Sequence, residues 1–174
     1  MDISIIIFLL GGLFLGWSLG ANDAANVFGT AVGTRMVRFK TAAIVCSIFV
    51  ILGAIISGSG TTETLGKLGA INALPGAFAA CVAAGLSVYL MTKAGLPVST
   101  TQAIVGAIVG WNLYTGSDTN IRVLITILGT WVLCPVIAGV IAMGFFTITK
   151  NYLLRRKLHI LRLDAYTRTA LLLA

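Results

Sequence analysis

The sequence predicts an all-α polytopic membrane protein with a discontinuous first helix and a re-entrant helical hairpin. Three observations predict it. The 174 residues are 58% hydrophobic and 10% charged, with a mean hydropathy of +1.02, whereas soluble domains carry about 25% charged residues. The apolar residues gather into five long stretches. Polar motifs interrupt two of these at membrane depth, where lipid-exposed irregular backbone is not tolerated but backbone lining a protein cavity is.

The five stretches run over about 3–33, 41–57, 74–92, 96–114 and 122–149. A spanning helix needs about 20 residues. The first stretch exceeds that, and its polar segment Gly20-Ala21-Asn22-Asp23-Ala24-Ala25-Asn26 lies just past its middle. Two half-helices, near 3–20 and 24–34, are expected, broken near 20–24. The second stretch reads as a plain span. The third and fourth are joined by Lys93-Ala94-Gly95-Leu96-Pro97-Val98-Ser99. Two full spans fit them, as does a hairpin that turns within the bilayer. Short limbs, the Gly-x-Pro break and the hydroxyl-rich run after it favour the hairpin. The fifth stretch contains Pro135 and is expected to kink or tilt.

These stretches make residues 1–150 one membrane repeat. Residues 151–174 read as a basic cytoplasmic linker and the start of a further helical segment. In the linker, Arg155, Arg156 and Lys157 are interleaved with leucines, and His159 reads as a solvated side chain. The chain looks cut short at Leu171-Leu172-Leu173-Ala174.

Lys and Arg collect in cytoplasmic loops. Arg35, Arg38 and Lys40 follow the first stretch, and Lys150 with Arg155–Lys157 follows the fifth. Segments 34–40 and 150–163 are therefore expected in the cytoplasm and the N-terminus outside, in a plasma or inner membrane. Asp2 and the long apolar run do not suit a signal peptide. The net charge of +7 is spread between apolar runs with no basic-aromatic face, so nucleic acid is not an expected partner; membrane lipid is. Cys46, Cys81 and Cys134 lie in apolar stretches without a CxxC pair and read as small buried hydrophobes. One His, scattered thiols and one intramembrane acid supply no acid–base pair and no metal set, which argues against an enzyme.

Asp23 is the one ionisable side chain between residues 3 and 33, and no Lys or Arg occurs there. An intramembrane carboxylate needs a matching positive charge or a proton. Asn22, Asp23 and Asn26 are spaced to share one face of a helix. With the carbonyl of Ala21 they make a candidate hard-cation site. An interhelical hydrogen-bond cluster is the plainer alternative. Downstream, Ser99-Thr100-Thr101-Gln102 opens the fourth stretch after Pro97. Capping accounts for one hydroxyl, whereas three hydroxyls and an amide at a helix N-terminus suit an anion. Gly12, Gly16 and Gly20, like Gly106 and Gly110, have the spacing of close helix packing. Trp17, Trp111, Tyr114 and Trp131 read as packing or interface aromatics. Lys93 is either an orientation signal or a positive charge at the hairpin tip.

At two places the chain resembles the inorganic phosphate transporter (PiT) family. Residues 20–26 are similar to its GANDxAN signature, and Gly95-Leu96-Pro97-Val98-Ser99-Thr100-Thr101-Gln102 resembles its GxPxSTTQ/H signature. The order of apolar segments matches one family repeat over about residues 1–150. The resemblance implies one half of an inverted-repeat transporter that carries inorganic phosphate with Na⁺ or protons. Phosphate would contact Ser99, Thr100, Thr101, Gln102 and Asp23; Na⁺, as co-transported ion and not a cofactor, would contact Ala21, Asn22, Asp23 and Asn26. Family members carry the first signature twice, and here it occurs once. The second half, as a continuation or a separate chain, is thus an implied partner, and a second copy of the chain is another candidate. Sulfate symport, proton-coupled phosphate transport and an ion channel are the competing functions.

Overall fold

A computed structural model describes residues 3–69, 74–155, 165 and 169. Its elements are α1 (Ile3–Gly33), α2 (Phe39–Gly66), α3 (Leu74–Lys93), α4 (Thr100–Thr115) and α5 (Ile121–Arg155). The chain divides into two units, residues 1–123 and 124–174. Helices α1, α2, α3 and α5 are long and apolar enough to cross a membrane. At 16 residues, α4 is about 24 Å long, short of the roughly 30 Å hydrocarbon core.

The expected break in α1 is absent. Residues 3–33 form one 31-residue helix. The polar residues of 22–26 do not need an opened backbone, because two of their side chains find partners on neighbouring helices. The helix then stops at Arg35, which has φ 59°. The Met36 N–H reaches the Ala31 carbonyl at 2.9 Å and the Arg35 N–H the Val32 carbonyl at 3.0 Å, the paired bonds that close a helix with a left-handed residue. The same closure ends α3, where Gly95 has φ 73° and the Leu96 N–H donates to the Met91 carbonyl at 2.9 Å.

Helix α2 runs past the expected end at 57 to Gly66. In its Gly/Ser/Thr-rich last turns, Thr62 and Thr64 turn their hydroxyls back to the carbonyls of Gly58 and Gly60, so they do not compete for the backbone N–H groups. Lys67 also pairs with Glu63 one turn away. Helix α4 begins at Thr100, not near 96. Pro97 has no N–H and biases its predecessor to extended backbone, so the helix waits for the Ser99 cap. Helix α5 passes through Pro135 as one element, beyond the expected 122–149. Residues 156–163, with His159, and most of 164–174 lie outside the described residues.

In the first unit α3 packs against both α1 and α4. Its buried face is Gly76, Ala80, Ala84, Gly85 and Val88, small residues that let helices approach closely. The expected glycine stripe is not the seam. A Cβ at Gly12, Gly16, Gly20, Gly106 or Gly110 would meet nothing within 4 Å. At Gly11 it would come 2.8 Å from the Phe78 ring, and at Gly85 2.8 Å from the Phe14 ring. The buried positions Gly11, Ser18 and Asn22 follow the helical period and set the face of α1 that meets α3. The 12–16–20 stripe is centred about 140° around the helix from it. Trp17 stacks between Phe14 and Tyr89, with ring centroids 6.2 and 5.6 Å away. Lys93 lies 5.3 Å above the Tyr89 ring. Cys46 and Cys81 are half-buried, and Cys134 is exposed where a buried site was expected.

At the far end of α4, Asn112 is fully buried and donates to Thr119 Oγ1 at 2.9 Å. The Asn120 N–H reaches back to the Leu68 carbonyl at 3.1 Å. The first bond folds the loop after α4 back onto the helix, and the second fastens that loop to the segment after α2. The second unit holds α5 from Leu124 onward, in which Thr130 and Thr147 donate to the carbonyls of Ile127 and Met143, and Thr169 Oγ1 donates to the Ala165 carbonyl at 2.9 Å.

Candidate functional site

The site forms where the middle of α1 meets the turn end of the α3–α4 hairpin. Asn22 faces inward and is 5% exposed. Its Nδ2 donates to Thr92 Oγ1 at 2.8 Å, and Thr92 in turn donates to the Val88 carbonyl at 2.8 Å. Thr92 lies in the last turn of α3. One residue along α1, half-buried Asp23 accepts from Thr100 Oγ1 at 3.2 Å. Thr100 is the first residue of α4 and is 8% exposed. Adjacent residues of α1 therefore hold the two limbs of the hairpin, across separations of 70 and 77 residues.

The second motif divides its tasks. Ser99 caps α4, its Oγ accepting from the Gln102 N–H at 3.3 Å. A side-chain oxygen here satisfies one of the N–H groups that the first turn leaves unpaired. Thr100 turns to Asp23. Thr101 and Gln102 are exposed. The positive end of α4 thus starts beside the Asp23 carboxylate, a placement that favours negative charge.

The sequence-predicted cation residues are not gathered on one surface. Asn22 is buried and Asp23 half-buried, whereas Ala21 and Asn26 are exposed. Two residues of the arrangement were not expected: Thr92, which holds the Asn22 amide, and Ser18, buried one turn before Asn22. The sequence carries a signal for Ser18, since 18, 22 and 26 form one i, i+4 row of polar side chains in an apolar run. For Thr92 it carries none, because nothing in a linear spacing joins residue 92 to residue 22.

The profile of the phosphate transporter family matches residues 19–171, which takes in both motifs and four of the five helices complete. The chain belongs to the phosphate transporter family. A relative named "Putative phosphate permease TK2061", from Thermococcus kodakarensis, is 34% identical over 167 residues, covering 90% of this chain and 41% of the relative. A sodium-dependent phosphate transporter of Plasmodium falciparum is 33% identical, over 83% of this chain and 23% of its own length. Among solved structures, one described as the sodium-dependent phosphate transporter superposes with a TM-score of 0.75 at 33% identity, covering 86% of this chain and 40% of the other. The chain spans about two fifths of the length of the first curated relatives it matches. As a member of this family, with four helices able to span a bilayer, it is an integral membrane protein.

Proposed function

We propose that this chain supplies one half of a Na⁺-coupled inorganic phosphate symporter, with the second half of an inverted repeat completing the site. The observation that carries the reading is the Thr100–Asp23 hydrogen bond at 3.2 Å. It joins the two signature motifs and sets a hydroxyl donor between a carboxylate and a helix N-terminus. The sodium-dependent relative and structural neighbour support Na⁺ as the coupling ion. The charge bias of the loops supports an external N-terminus.

In this reading Asp23, Asn22, Asn26 and the Ala21 carbonyl receive Na⁺, while Thr100, Thr101, Gln102, Ser99 and the first turn of α4 receive phosphate. A threonine hydroxyl has one proton to donate. While Thr100 donates to Asp23, it does not donate to phosphate. A cation on Asp23 takes over the work of neutralising the carboxylate and releases that proton to the anion. Cation and anion also attract directly, by about 4 kcal/mol for unit charges 4 Å apart at an effective dielectric near 20. Each ion therefore raises the affinity for the other, which is the reciprocal coupling that symport requires.

The test is uptake of labelled phosphate into proteoliposomes holding the full-length protein. An inward Na⁺ gradient is expected to drive accumulation, and a tenfold excess of sulfate to leave it unchanged. Equal uptake with choline in place of Na⁺ would refute the coupling, and competition by sulfate would refute the substrate. Within the site, Thr100→Ala is expected to raise the phosphate KM about tenfold, the scale of one charge-assisted hydrogen bond, with a smaller change in Na⁺ half-saturation. The reverse ordering of the two effects would count against Thr100 as a phosphate donor.

A further inference from the structure

Ser18 lies outside both signatures, yet among the described side chains of α1 it is the most enclosed polar one, at 1% exposure. Its hydroxyl has no hydrogen-bond partner. Other helical hydroxyls without such a bond, Ser57, Ser59 and Thr61 among them, are exposed to solvent, whereas a buried one left so is unusual. Ser47, Ser87, Thr62 and Thr92 all donate to the carbonyl four residues back, at 2.8 to 2.9 Å, and all are less buried than Ser18. The second such atom is Asn22 Oδ1, one turn along the same face. The direction of that amide is fixed, because its Nδ2 donates to Thr92 Oγ1 and the Thr92 proton goes to Val88. Its carbonyl end is left without a donor.

We infer that Ser18 Oγ and Asn22 Oδ1 together extend the cation-binding oxygen set one helical turn away from Asp23, on the face of α1 that meets α3, and that they take a partly dehydrated alkali cation. This deepens the cation role proposed above and rests on it. The chemistry is that of a hard-cation ligand. An oxygen that accepts no hydrogen bond keeps its lone pairs for a metal, and residues four apart on a helix bring their side chains together. No lysine or arginine between residues 3 and 34 competes for the place, and the Asp23 carboxylate is adjacent on the helix. Ala21 and Asn26, by contrast, are exposed, so dehydration of the ion is best achieved at the Ser18–Asn22 side.

The experiment measures Na⁺ half-saturation, the Li⁺/Na⁺ uptake ratio and the phosphate KM at saturating Na⁺, for full-length Ser18→Ala and Ser18→Cys in proteoliposomes. Cysteine keeps the volume but replaces a hard oxygen by a soft sulfur. Both variants are expected to raise Na⁺ half-saturation at least tenfold and to shift the Li⁺/Na⁺ ratio, with the phosphate KM within twofold of wild type. Half-saturation does not depend on the amount of protein inserted, and the isosteric Cys variant carries the reading where Ala fails to insert. Wild-type half-saturation and ion ratio in either variant overturn the inference and leave Ser18 bonded to a water alone. A parallel Asp23→Asn measurement separates the two levels. Loss of Na⁺ dependence there, with Ser18→Ala unchanged, removes only Ser18, whereas retained Na⁺ dependence removes the cation role of α1 altogether.

Discussion

Asp23→Asn in the full-length protein is expected to reduce Na⁺-dependent phosphate uptake at least 100-fold while leaving the fold in place. The carboxylate supplies the one fixed negative charge of α1. An ion pair of about 4 kcal/mol at an effective dielectric near 20 corresponds to roughly three decades in affinity, so a 100-fold loss allows for partial compensation. The fold survives because asparagine has nearly the same shape and its side-chain oxygen still accepts from Thr100, as Asp23 does at 3.2 Å. Half-buried Asp23 also contributes little packing. Uptake assays with and without Na⁺, with the thermal melting curve in detergent as the control, check both halves. Wild-type Na⁺ stimulation in the variant would remove Asp23 from the cation site.

Gly85→Val is expected to destabilise the protein by about 1–3 kcal/mol, the usual cost of forcing volume into a packed interface, and to impair uptake with it. Gly85, like Gly11, sits where α3 and α1 approach closely. A Cβ there would sit 2.8 Å from one Phe14 ring carbon and 3.3 Å from the Leu15 Cα. The ring is held by its stack on Trp17, with centroids 6.2 Å apart, and the Leu15 backbone cannot turn aside. The helices must separate. The Asn22–Thr92 bond depends on the same approach of α1 and α3, so binding suffers as well as stability. A lowered melting temperature of the full-length protein, with a smaller drop for Gly85→Ala, is the expected series. An unchanged melting temperature for the valine variant would show that α1 and α3 do not pack as described.

Much of the architecture was legible along the chain. The five helices fall within the five apolar stretches or overrun them, because hydrophobic length and Gly/Pro punctuation are local properties. Pro97 and a capping hydroxyl after it were visible as the reason for a turn before α4, and the structure gives the cap to Ser99. The boundaries of α2 were not, since composition alone reads its polar final turns as a loop, whereas their threonine hydroxyls are satisfied within the helix and Glu63 pairs with Lys67 one turn on. The continuity of α1 was misread for a related reason. Asn22 and Asp23 looked like side chains needing an opened backbone, and they are satisfied from other helices instead.

The site divides the same way. The sequence alone determined that a carboxylate and two amides lie inside an apolar run without a basic partner, and that a hydroxyl cluster opens the fourth helix. Both follow from residue identity and spacing within a few turns. Only the tertiary structure decided which of these meet. It joined Asp23 to Thr100 and Asn22 to Thr92, left Asn26 exposed, and enclosed Ser18. It also moved the packing seam from the 12–16–20 glycines to Gly11 and Gly85. The reason is geometric. Which face of α1 is covered depends on where α3 lies against it, and that is fixed by contacts between residues some 70 positions apart, a distance over which helical periodicity carries no information.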